Sequence, residues 1–189
     1  MLAVIIAVVS MSVNAQTSFG VKAGLNLATI TGDDTEEADF RTSFNVGAVA
    51  EFKIAEKFSI QPEVSYSSQG WESSGSDWKE TIKLDYINIP VMAKYYVIEG
   101  LSIEAGPQVG FLVSAEAEFE EGDLEGSEDI KDFVSSVDFG LNFGVGYKLD
   151  FGLNFGARYN LGLANIADDS DAGDFKNGVL QFSVGYFFN

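Results

Sequence analysis

The residues of this chain that could do acid–base, ionic or metal chemistry fall into two sets. One is a scatter of single charges inside glycine-rich and apolar segments: Lys22, Glu51, Glu63, Lys94, Glu104 and Arg158. The other is dense and acidic. It comprises Asp33, Asp34, Glu36, Glu37 and Asp39, then eight carboxylates between Glu116 and Asp129, then Asp168, Asp169, Asp171 and Asp174. Histidine and cysteine are both absent. Their absence removes the commonest general base, thiol nucleophiles, zinc–thiolate sites and disulfides. A Ser/His/Asp arrangement is impossible. A carboxylate pair such as Glu51 and Glu63 could act as acid and base, but ion-paired interior residues are the plainer reading. The acidic clusters could hold Ca²⁺ or Mg²⁺ through oxygen ligands, with Asp168, Asp169, Asp171 and Asp174 the candidates. DDSDAGD at 168–174 lacks the D-x-D-x-D-G spacing and the distant glutamate of a calcium loop. A solvated acidic fringe and a surface for a basic partner or matrix component are the alternatives. No glycine-rich phosphate loop occurs, and no cofactor is expected. The net charge of -18 and the pI of about 4.1 repel phosphate, which argues against nucleic acid as a partner.

The scattered charges sit in segments that alternate with period two. Eight such segments occur, at 19–27, 44–54, 58–66, 84–97, 101–113, 139–147, 153–161 and 180–188. In the fourth, Ile87, Ile89, Val91, Ala93, Tyr95 and Val97 alternate with Asn88, Pro90 and Lys94. Most segments are longer than strands of soluble proteins and match the ~10-residue tilted strands of a membrane barrel. Their connections also alternate. Short turns fall around 55–57, 98–100 and 150–152, and long polar loops at 31–42, 68–82, 115–133 and 164–177. This predicts an all-β, closed, eight-stranded antiparallel up-and-down transmembrane β-barrel, with both termini at the short-turn, periplasmic end.

Either face of the alternation could point inward. The polar set is small and glycine-rich, which suits a crowded lumen rather than a water-facing sheet. The apolar set carries aromatics near strand ends (Phe19, Phe52, Phe58, Tyr66, Tyr86, Tyr95, Phe111, Tyr147, Tyr159 and Phe188), as membrane girdles do. The apolar set is therefore expected to face lipid. With Glu99 at the centre of its turn, Lys94 falls opposite Glu104. Lys22, Glu51, Glu63 and Arg158 lie at similar distances from the short-turn end. Together the six predict a charged layer that plugs the lumen, against the alternative of unconnected hydrated charges. Pro62, Pro90 and Pro107 each cost a ladder bond in a sheet without edges, and Pro90 beside Pro107 predicts a shared bulge.

Leu2 to Val9 is a short apolar run, followed by Val13-Asn14-Ala15 before Gln16. This reads as a signal peptide over 1–15, with the barrel domain over 16–189.

GVKAGLNLATITGDD at 20–34, FSIQPEVSYSSQG at 58–70, LDYINIPVMAKYYV at 84–97, LSIEAGPQVGFLVSA at 101–115, FGLNFGVGYKL at 139–149 and FGARYNLGLANI at 155–166 resemble the eight-stranded outer-membrane β-barrel domain, often called "porin family", common in Bacteroidota. The resemblance spans nearly the whole mature chain and includes all three prolines. It implies an OmpA/OmpX-like barrel in outer-membrane lipid and carries no assigned activity. Phe182, Tyr186 and Phe188 resemble the C-terminal signal read by the barrel assembly machinery, although Asn189 follows the aromatic. The expected role is structural or surface-interaction, without catalysis. A narrow channel for small solutes and a soluble lipocalin-like ligand-binding barrel are the rivals.

Overall fold

The computed structural model describes residues 17–32, 35, 38–122, 124–168 and 173–188. The segment read as a signal peptide, 1–15, lies outside them. Nine strands form: β1 (Thr17–Gly32), β2 (Asp39–Ala55), β3 (Phe58–Ser74), β4 (Trp78–Tyr96), β5 (Leu101–Glu121), β6 (Leu124–Asp129), β7 (Val137–Lys148), β8 (Leu153–Gly162) and β9 (Phe175–Phe188). Each pairs antiparallel with its neighbour, β1 closes on β9, and β4 joins β5. Eight strands thus make a closed transmembrane ring, from which β6 stands apart, paired among the described residues with β5 alone. The register can be followed around the ring through Phe19, Ala50, Pro62, Val91, Pro107, Leu141, Leu161 and Gly178. It returns to β1 at Thr29, ten residues on. That stagger gives the strand tilt a narrow, side-chain-filled barrel requires.

The short turns are tight. Val97 donates to the Leu101 carbonyl at 3.0 Å, and Leu149 to the Leu153 carbonyl at 2.7 Å. Gly100 and Gly152 take φ of +78° and +96° there, a conformation side-chain-bearing residues rarely adopt. The opposite end differs from the expected long loops. β3 and β4 continue to Ser74 and Trp78, so only 75–77 connect them. The 115–133 segment carries the rest of β5, all of β6 and a short 3₁₀ turn, Lys131–Phe133. Charged strands read as loops in the sequence because their polar residues hide the alternation.

The apolar set faces outward. Phe19, Leu25, Phe44, Val64, Ile103 and Phe143 are each half or more exposed to the surroundings of the ring. On β5 the outward apolar run extends from Ile103 to Val113. Ten residue steps of about 3.3 Å, inclined about 40°, span roughly 25 Å, the height of an outer-membrane apolar band. Tyr86 departs from the girdle assignment: it is fully buried inside the barrel, on the same face as Asn88 and Lys94. The expected bulge at Pro90 and Pro107 is also absent. Pro90 pairs with Gln108 in unbroken register, and the shift lies higher, where Asp85 meets Ser114 but Tyr86 meets Leu112. Val113 is the extra residue. It reverses the parity of β5 above it, so Ala115 turns inward and Glu116 outward.

Candidate functional site: the filled lumen and the strand extension above it

Three layers fill the barrel. Nearest the short turns, charged side chains from seven strands meet. Arg158 on β8 grips Glu63 on β3 with both terminal nitrogens, at 3.0 and 2.8 Å. Its second nitrogen also reaches Glu104 at 3.2 Å. Lys22 on β1 closes an ion pair with Glu63. Lys94 on β4 lies 3.2 Å from Glu104, its ladder partner, and 3.9 Å from Glu51. Lys148 on β7 lies 3.4 Å from Glu51, over the ring of the buried Phe187. Gln61 accepts from Lys94 at 3.0 Å and donates to Glu63 at 2.7 Å. The Tyr96 hydroxyl donates to Glu51.

Local sequence explains how these groups reach one another. Glu104, Gly144 and Arg158 are consecutive in one ladder row. The glycine between them carries no side chain, which leaves Arg158 free to lie across to Glu104. Two residues on, a Cβ at Gly146 would stand 2.5 Å from a Glu104 carboxylate oxygen. Arg158 supplies the planar fork that a carboxylate accepts with two oxygens, a geometry lysine lacks. Four cations face three carboxylates here, so charge is nearly balanced inside a chain that is otherwise strongly acidic. Each ion is held by a partner and by neighbouring hydrogen bonds, the condition for keeping charges out of water.

A layer of amides lies above. Asn26 donates to the Ser67 hydroxyl at 3.0 Å and the Ser68 carbonyl at 2.7 Å, and accepts from Asn45 at 2.7 Å. Asn142 donates to Gln108 and Asn160 to Asn142. Asn177 donates to the buried Asp138 at 3.0 Å. The third layer is apolar. Ile30, Ile82, Leu84, Tyr86, Leu112 and Ala115 form one buried cluster, closed from above by Ile166. Along β1, β4 and β5 the inward-facing polarity therefore changes from charged (Lys22, Lys94, Glu104) to amide (Asn26, Asn88, Gln108) to hydrocarbon (Ile30, Leu84, Leu112).

All six residues expected in the charged layer lie in this one network. Lys148, Tyr96 and Gln61 join them unforeseen. Their strand parity was the available signal, since 148 follows Gly144 and Gly146, and 96 follows Lys94. Of the four aspartates considered for a cation, Asp169 and Asp171 lie outside the described residues. Asp174 is ion-paired with Lys176, and the Asp168 amide donates to the Phe133 carbonyl. Among the described residues no three carboxylates gather as a metal-holding group. Phe182, Tyr186 and Phe188 project outward along β9, the last two in edge contact at 5.6 Å.

A closed ring with an apolar exterior and a polar lower lumen defines an integral outer-membrane barrel. Residues 14–168 match the outer membrane protein beta-barrel domain, and the chain belongs to that family. Among solved structures it is similar to Ail, the attachment invasion locus protein of Yersinia pestis, at 13% identity and a TM-score of 0.56, over 90% of this chain and 98% of that one. Ail in complex with the heparin analogue sucrose octasulfate gives 14% and 0.55, over 91% and 99%. Neisserial surface protein A gives 15% and 0.55, over 91% and 99%. At these identities the likeness is one of fold. No curated protein matches the chain.

Proposed function

We propose that this protein is a sealed outer-membrane barrel whose work is done by its extracellular end, in a structural or surface-interaction role. The observation that carries this reading is the filled interior. A solute entering from either side meets the ionic network, the amides and the apolar cluster in turn, and eight strands leave no bore around them. The short-turn end holds a cleft of about 730 Å³ at the barrel mouth, bordered by Glu51, Lys57, Tyr96 and Lys148. β1 begins and β9 ends at that end, which we place in the periplasm. On this reading residues 1–15 direct export, the aromatic pattern of Phe182, Tyr186 and Phe188 is recognised by the assembly machinery, and the acidic loops face outward. No catalytic role is assigned.

The heparin analogue bound by Ail is a polyanion. An end rich in aspartate and glutamate repels such a ligand, so basic partners or divalent cations suit it better.

Planar-bilayer recording of the purified barrel tests the sealed lumen. The expected trace lacks stable conductance steps. Reproducible steps from the unmodified protein would select the narrow-channel reading instead.

A further inference from the structure

The sheet does not end at the ring. Above Leu112, β5 leaves β7 and continues between β4 and β6. β6 has no second ladder partner: among the described residues, its backbone joins no element but β5. Five of its six residues are exposed, with Leu124 at 72%. A solvent-exposed row of unpaired backbone donors and acceptors is a template for another strand.

The side chains across this sheet indicate which strand. Residues directly opposite share a face. On one face β4 contributes Lys79 and Lys83, opposite Glu120 and Glu116 of β5. Those glutamates in turn face Glu125 and Asp129 of β6. Lysine on β4 offsets part of this charge on one side: Lys83 is ion-paired with Glu118 of β5, whereas Lys79 turns back to Glu72 of β3 at 3.0 Å. On the other side carboxylate meets carboxylate, an arrangement that costs stability when nothing intervenes. Among the described residues Glu125 has no cationic partner, and Asp129 receives only the Lys131 backbone amide, at 2.9 Å. The columns run basic, acidic, acidic, and stop at an open edge.

We propose that the free edge of β6 is a docking site for an extended basic segment of a partner protein, which adds to the sheet as a further strand and sets alternate lysine or arginine side chains against Glu125 and Asp129. A second copy of this chain does not fit, because its β6 would bring the same carboxylates against themselves. The inference deepens the surface-interaction reading and rests on it.

The test is a titration of the purified, detergent-solubilised barrel at low salt. The probe is a capped peptide of about eight residues alternating lysine and threonine, compared with its alternately N-methylated form. The parent peptide is expected to bind and to slow amide hydrogen exchange across Leu124–Asp129. N-methylation is expected to weaken binding about tenfold or more, since charge is kept while ladder bonds are lost. The E125K/D129K variant, checked as folded by its heat-modifiable gel migration, is expected to weaken it comparably. Equal binding of the N-methylated peptide, no binding of the parent, or binding without protection of β6 would each overturn the proposal. So would self-association of the barrel through β6 that the peptide does not compete. The titration is indifferent to which side of the membrane β6 occupies, so its failure is distinguishable from failure of the surface role.

Discussion

Glu63 is the residue on which the lower lumen depends most. It takes two bonds from Arg158, one from Gln61 and the Lys22 ion pair, while fully buried. Replacing it with glutamine leaves the half-buried Lys22 and the buried Arg158 without their shared counter-ion. Breaking such a network costs about 3–5 kcal/mol, whereas replacing all partners by apolar groups of similar volume costs far less. Glu63→Gln is therefore expected to lower stability by about that amount in urea unfolding from lipid vesicles. The triple variant K22M/E63L/R158M should recover most of the loss. Equal stability of Glu63→Gln and the parent would mean the ions are independently hydrated. At this scale much was legible in the sequence. Fixing the turn centre at Glu99 puts Lys94 opposite Glu104 by arithmetic alone, and the pair lies at 3.2 Å. The bonds from Arg158 to Glu63 were not legible. They cross the lumen between strands far apart in the ring, and no local spacing encodes a contact across a cavity.

Within the strands, the decisive feature is the extra residue at Val113. Below it the even residues of β5 point inward, and above it the odd ones do. The same shift supplies Ala115 to the apolar cluster and turns Glu116 and Glu118 to solvent. Deleting Val113 removes the extra residue, so the strand alternates regularly from Leu112 inward through Ser114 outward to Ala115 inward, and Glu116 keeps its outward facing. The expected outcome is a folded barrel whose thermal midpoint stays close to the parent's, because every ladder partner from Asp85–Ser114 upward is kept. A large fall in midpoint or in folded yield on refolding into detergent would show that the upper sheet needs the bulge itself and not only the facing it sets. The sequence conceals this bulge because Val113 and Ser114 give no glycine or proline signal. It conceals the apolar cluster for a related reason. Inward positions read as polar near the short turns, and Ile82, Leu84 and Tyr86 occupy the same parity higher up. Tyr86 looked like a girdle aromatic for that reason, although it shares a face with Asn88.

For the whole molecule, period-two alternation and alternating connection lengths were enough to read an eight-strand up-and-down ring. What they left out was the elaboration above the membrane: β3–β5 extended beyond the apolar band, with β6 added at their side. Those segments carry charges on the faces that would otherwise display hydrophobic periodicity. On the proposed reading of a sealed lumen they are also where the barrel acts: with three layers in the lumen a partner meets the protein at its ends, and among the described residues one end is built up with strands.

On the proposed surface role that end is the one the cell presents, and the absence of cysteine makes this directly measurable. Single variants S127C, on β6, and E56C, in the β2–β3 turn, are treated with a membrane-impermeant maleimide on intact cells and again after lysis. The account predicts that S127C is labelled on intact cells and that E56C is labelled only after lysis. Labelling of E56C on intact cells with S127C protected would place the elaborated end inside the periplasm and contradict the surface role.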